Sequence, residues 1–141
     1  MRRLVIGIGN PDRGDDAAGI EVARRLRSTE SSQLVNGSFE LMDLWAEADE
    51  VIVVDAAHSG APAGTIHRIM ADQEPVPVGL LSTSTHSVGV AETVELARSL
   101  GRLPTRLLIY GIEGAKVGLG EGLSREVERA VDLLVEEIDN A

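Results

Sequence analysis

Three residues, Asp16, Asp55 and His86, have the types and placement to do metal chemistry. Two carboxylates and an imidazole supply the oxygen and nitrogen donors that suit zinc or nickel, and three protein ligands leave coordination positions open. Each also has a plainer reading. Asp15 and Asp16 sit where acids cap a helix and meet its dipole. Asp55 could end a strand in a turn, and His86 stands in a Ser/Thr-rich stretch. For Asp15 the capping reading is preferred. For Asp16 the two potential partners favour chemistry.

The surrounding elements decide whether the three can meet. Apolar runs alternate with segments of helical period, the pattern of β-α units around a mostly parallel sheet. Leu4 to Ile8 reads as a first strand, followed by a helix capped by Asp15 and Asp16 and running to about Arg27. A short strand is predicted around Leu34 and Val35, and a short helix from Glu40 to Ala48. Val51-Ile52-Val53-Val54 is the clearest strand, with Asp55 at its carboxyl end. Thr65 to Met70 is predicted as an edge strand, Ala71 to Thr85 as a loop, and His86 to Leu100 as a helix stopped by Gly101. Leu107 to Tyr110 reads as another buried strand. After the glycine-rich stretch Gly114 to Gly122, Ser124 caps a last helix with Val127, Ala130, Val131, Leu134 and Ile138 at helical spacing.

The expected fold is a single α/β domain over residues 1–141, a three-layer α/β/α sandwich with a mostly parallel central sheet. In such sheets ligands bind beyond the carboxyl ends of the strands. That places Asp55 at the edge where the turn carrying Asp16 should lie. The start of a helix would disfavour protonation of His86 and keep its imidazole able to bind metal.

Other chemistries are weaker. The turn Gly7-Ile8-Gly9-Asn10-Pro11-Asp12-Arg13-Gly14-Asp15-Asp16 is glycine-rich, but its spacing is neither a dinucleotide fingerprint nor a P-loop. Its aspartates would repel a phosphate. His58 could reach the same crevice as a spare ligand or a supporting group, whereas His67 reads as a surface residue of the edge strand. Ser59, Ser82, Ser84 or Ser87 could pair with a histidine as a nucleophile, but none lies in a G-x-S-x-G elbow. An HExxH helix is missing, which excludes an ordinary zincin protease.

The 141 residues carry a formal net charge of −10 and no cysteine. Thiolate metal sites and disulfides are therefore excluded, and nucleic acid is an unfavourable partner for so acidic a surface. The longest apolar runs are far too short to span a bilayer. Met1-Arg2-Arg3 leads into an apolar run, but Gly7, Gly9, Asn10 and Asp12 interrupt it, so no secretory leader is expected.

The ordered blocks Leu4-Val5-Ile6-Gly7-Ile8-Gly9-Asn10, Gly14-Asp15-Asp16-Ala17-Ala18-Gly19, Val53-Val54-Asp55-Ala56 and His86-Ser87-Val88-Gly89 together resemble the hydrogenase maturation endopeptidases. Leu107 to Glu113 and Leu123-Ser124 resemble the same family, so the likeness covers nearly the whole chain. The resemblance implies an endopeptidase that removes a short C-terminal extension from a nickel-iron hydrogenase large-subunit precursor after nickel insertion. It implies catalytic and metal-contacting roles for Asp16, Asp55 and His86, where the first acid is often Glu. It also implies nickel carried in by the substrate, with zinc or cadmium able to take its place in a crystal. The partner would be that precursor, with no membrane or nucleic acid, in a cytoplasmic monomer or weak dimer. Asn36-Gly37-Ser38-Phe39-Glu40-Leu41 departs from the family as a reduced glycine-threonine segment, and the chain is short. A related peptidase for another metalloprotein precursor, and a non-catalytic module that senses metal, remain alternatives.

Overall fold

In a computed structural model, which describes residues 2–35, 39–77, 79–81, 89–115 and 122–141, the first β-branched run lies in the middle of a sheet. Its strands are β1 (Arg3–Gly9), β2 (Ser31–Val35), β3 (Glu50–Ala57), β4 (Ile66–Met70) and β5 (Arg106–Glu113). Their spatial order is β2-β1-β3-β5-β4. All pairings are parallel except β4 with β5, so the predicted edge strand is the antiparallel one. The helices are α1 (Ala18–Arg25), α2 (Glu40–Trp45), α3 (Val90–Ser99) and α4 (Arg125–Asp139), with a 3₁₀ turn at Gly14–Ala17 ahead of α1.

Two apolar clusters form the layers. On one sheet face, α1 and α4 bury Val22, Val127, Val131 and Leu134 against Val5, Ile52 and Val54. On the other, α2 and α3 bury Leu41, Trp45, Val90 and Val94 against Leu4, Ile6, Val53 and Ile109. The predicted α4 stripe, Val127, Ala130, Val131, Leu134 and Ile138, is buried throughout. The expected three-layer α/β/α domain is therefore the observed one.

Where α1 crosses the sheet at Gly19, helix and strand backbones come into direct contact, beside the side-chain packing of Ala18 and Val22. A Cβ placed on Gly19 would lie 2.2 Å from the Val54 carbonyl oxygen and 2.4 Å from that of Ile8. On the sheet side, a Cβ on Gly7 would lie 2.1 Å from the Gly19 carbonyl oxygen. Only glycine fits both surfaces, the role a glycine plays wherever helix and strand backbones meet.

Several boundaries differ from the sequence reading. Helix α1 ends at Arg25 rather than Arg27, because Leu26 turns extended and the Asp139 carboxylate accepts the N–H groups of Arg27 and Ser28 at 2.9 and 3.0 Å. Helix α2 ends at Trp45 rather than Ala48, with Ala46 as its C-cap. Strand β3 does not stop at Asp55. Its last pair with β1 is Val54↔Gly7, but β5 continues to pair with it through Ala57↔Glu113. The described part of α3 starts at Val90, after Gly89 in extended conformation, and Gly101 follows its end with φ +68°.

Because a carbonyl oxygen cannot be repacked, we expect Gly19→Ala to cost about 3 kcal/mol or more, at the upper end for overpacked cores. Gly122→Ala, where nothing lies within 4 Å of the added carbon, should change stability by less than about 0.5 kcal/mol. Urea unfolding of both variants checks the pair, and equal midpoints would refute the close contact.

Candidate active site

The strand order reverses between β1 and β3, since the chain adds β2 on one side of β1 and β3 on the other. Beyond the carboxyl ends of these two strands lies the crevice where such sheets bind ligands. The 3₁₀ turn carrying Asp16 folds back over the end of β1, with the Asn10 N–H donating to the Asp16 carbonyl at 3.2 Å. A Cβ on Gly9 would lie 2.0 Å from that same carbonyl oxygen. Asp55 reaches the crevice from β3, just past the last residue that β1 covers.

Asp15 and Asp16 are neighbours with opposite uses. Neither is a helix cap, since both lie inside the 3₁₀ turn and the residue at its cap, Arg13, makes no side-chain bond to it. Asp15 is fully buried and accepts from Ala115 N (2.7 Å), Ser124 N (2.7 Å) and Ser124 Oγ (2.9 Å). Ser124 does occupy the N-cap position ahead of α4, as its sequence position predicts, but its hydroxyl bonds Asp15 rather than its own helix. Asp15 is thus a structural clamp on both flanks of residues 116–121. Asp16 has no such ties. Its Oδ1 is buried with no hydrogen-bond partner among the described residues. The contact nearest to one is His58 Nε2 at 3.4 Å, an ion-pair separation.

Asp55 is 3% exposed. Burial pushes its pKa well above the ordinary range; the Ala56 N–H opposes this at 2.8 Å, while the charge of Asp16 adds to it. The His58 pKa is raised, first by the contact with Asp16, against its own partial burial, and further by Asp16, Glu113 and Asp55 charges. His58, read from the sequence as a spare ligand or supporting group, reaches the crevice at Asp16, whose charge is also felt by Asp55. His86 lies outside the described residues, as do Ser82, Ser84 and Ser87, most of the glycine-rich stretch and the Asn36–Ser38 part of the departure noted above. Among the described residues, no group of three or more His, Asp or Glu side chains is placed to hold a metal ion.

Two residues were read differently from sequence. His67 is not a plain surface residue. Its side chain is 23% exposed, and Nε2 lies 3.1 Å from Glu113 Oε1. It stands opposite Gly111, whose missing side chain leaves room for the ring to reach across to Glu113. Glu113 itself was missed as a candidate, although it ends an apolar strand in the manner that singled out Asp55. Ser59, weighed as a nucleophile, donates its hydroxyl straight to Glu113 Oε1 at 2.7 Å, and both it and Glu113 meet His67 at Nε2. A triad needs base and orienting acid on opposite ring nitrogens. These three residues do not form one.

The fold and the sequence together place the chain in a known class of proteins. The family model for hydrogenase maturation proteases matches residues 20–141, and the chain belongs to that family. The hydrogenase expression/formation protein HupD of Thiocapsa roseopersicina is 30% identical, over 94% of this chain and 64% of its own length. The chain thus spans about two thirds of that relative. The hydrogenase 2 maturation protease of Escherichia coli K12 is 26% identical, over 98% of this chain and 88% of its own. A solved structure of the hydrogenase maturating endopeptidase HybD from E. coli superposes with a TM-score of 0.79 at 25% identity, covering 98% of this chain and 90% of that one.

The raised Asp55 pKa has a measurable sign. Its neutral form is favoured in the folded state, so this contribution to stability is full below the ordinary aspartate pKa and lost as pH rises through the folded value. Asn mimics the neutral acid and can keep the bond from Ala56. We expect Asp55→Asn to raise the melting temperature by more at pH 8 than at pH 5, each raised pKa unit being worth about 1.4 kcal/mol. A pH-independent difference between variant and wild type would show that Asp55 is ionised throughout.

Proposed function

We propose that this protein is an endopeptidase that removes the C-terminal extension of a nickel-iron hydrogenase large-subunit precursor after nickel has been inserted. The observation that carries the reading is Asp16 Oδ1, buried, without a hydrogen bond among the described residues and met there by His58 Nε2 at 3.4 Å, beside the buried Asp55 at the switch point, in a chain of this family. A buried carboxylate oxygen left without a donor is costly unless a ligand satisfies it.

In this reading nickel is cargo, brought by the precursor and met by Asp16, Asp55 and His86. Burial pushes the Asp55 pKa up, and a cation in the crevice would favour its ionised form. The chain's own task is then to fix the precursor's cation and thereby orient the adjoining peptide bond for attack by water, a positioning effect. Its acidic surface suits neither nucleic acid nor an anionic membrane. No described helix is long and apolar enough to cross a bilayer. We place the reaction in the cytoplasm, with the protein acting as a monomer or weak dimer.

Intact-mass measurement of the same organism's large-subunit precursor, incubated with this protein with and without nickel, tests the reading. A C-terminal mass loss is expected only for the nickel-loaded precursor. Asp16→Asn and His86→Ala should slow it by at least about 100-fold, as loss of a metal-contacting group does. Cleavage that is indifferent to nickel, or to both substitutions, would overturn the assigned site. An intact loaded precursor would move the function to another metalloprotein precursor or to metal sensing without cleavage.

A further inference from the structure

Glu113 is a buried carboxylate that the reaction above does not use. It is 3% exposed at the carboxyl end of β5, and such a group persists only when its lone pairs are filled. They are filled from one place in particular. Ser59 N–H donates to both oxygens at 3.1 and 3.0 Å, Ser59 Oγ donates to Oε1 at 2.7 Å, and His67 Nε2 lies 3.1 Å from Oε1. Burial pushes the Glu113 pKa up, but these bonds prevail and hold it below the ordinary range.

The backbone of Glu113 is itself pinned. Its N–H donates to Thr65 O at 2.9 Å and its carbonyl accepts from Gly64 N at 2.8 Å, while the following residue, Gly114, donates to Ala57 O at 3.2 Å. The carboxylate is thus a fixed point, and what it fixes is the residue next to His58. On its other side, His58 N–H donates to Leu80 O at 2.8 Å. Held from both directions, His58 turns its imidazole onto Asp16, with Nε2 3.4 Å from Oδ1. Its Cε1 lies 3.9 Å from where a Gly114 side chain would begin, so the ring passes over a position with no side chain to obstruct it.

We infer that Glu113 is a positioning residue of the crevice: through Ser59 it holds the turn from which His58 packs against Asp16. That Asp16 then acts on a precursor rests on the function proposed above. The positioning chain, Glu113 to Ser59 to His58 to Asp16, does not.

Two measurements on the full-length protein test it. The first is the nuclear Overhauser effect between His58 Hε1 and the Gly114 α protons, which reports where the ring sits and needs no substrate. It should be strong in the wild type, weakened in Ser59→Ala, which keeps the backbone donor, and lost in Glu113→Gln. The second is cleavage of the nickel-loaded precursor by His58→Ala, Glu113→Gln and the double variant. Each single variant should be slowed about 10- to 100-fold, the usual cost of losing a group that orients a ligand. The double variant should be no slower than the slower single one, because residues acting through one another are not additive. Should Glu113→Gln fail to fold, Ser59→Ala takes its place in both measurements. A wild-type Overhauser effect in the folded variant overturns the inference, and so do slowdowns that multiply. If the wild type cleaves nothing, the proposed function fails, and the Overhauser effect alone decides the positioning.

Discussion

Everything at the crevice depends on backbone touching backbone where α1 crosses the sheet. Gly19 lies between the carbonyls of Val54 and Ile8, and Gly7 lies beneath the carbonyl of Gly19. At this crossing no side chain separates helix from strand, and the packing of Ala18 and Val22 beside it leaves the helix no room to tilt or slide without collision. The 3₁₀ turn ahead of it is held to the end of β1 by the bond from Asn10 N–H to the Asp16 carbonyl, which brings Asp16 to the same end of the sheet as Asp55. A side-chain-packed helix would leave an uncertainty comparable to the difference between a ligand in reach and one out of reach.

Four acids crowd this end of the sheet, and the fold treats each one differently. Asp15 spends its carboxylate on Ala115 and Ser124. Glu113 spends its own on Ser59 and His67. Asp55 is denied water and driven towards neutrality. Asp16 keeps an oxygen without a hydrogen-bond donor among the described residues. Mutual repulsion among four carboxylates is thus eased by local bonding at Asp15 and Glu113, and Asp16 is the one whose oxygen the described residues leave without a hydrogen bond.

The layers were legible because their signals are local. Alternating runs gave the parallel sheet, and the helical spacing of Val127 to Ile138 gave α4 and its buried face. Boundaries were less legible. β3 outruns Asp55 because its two neighbours end at different heights, a fact about pairing that the strand's own residues do not carry. Asp16 and Asp55 stood out in the sequence because each is a charged residue at the edge of an apolar patterned segment. Glu113 met the same criterion and was passed over, since its meaning comes from partners 54 and 46 residues away. The division between Asp15 and Asp16 was half readable: the sequence favours a structural role for the first, but not that its ties would run to the far end of the chain.

The glycine contact also shapes how this protein can vary. When two side chains collide in a core, shortening either one restores the fit, so such positions drift in compensating pairs. A collision with a main-chain oxygen has no second partner to shorten. Position 19 is therefore uncoupled from its neighbours' identities: no change elsewhere in the helix or the strands makes room for a larger residue there. Gly7 beneath it is held in the same way by the Gly19 carbonyl oxygen, so two points of this crossing admit no side chain, while the apolar residues of β1 and β3 around them are constrained by the volume of the two layers they fill.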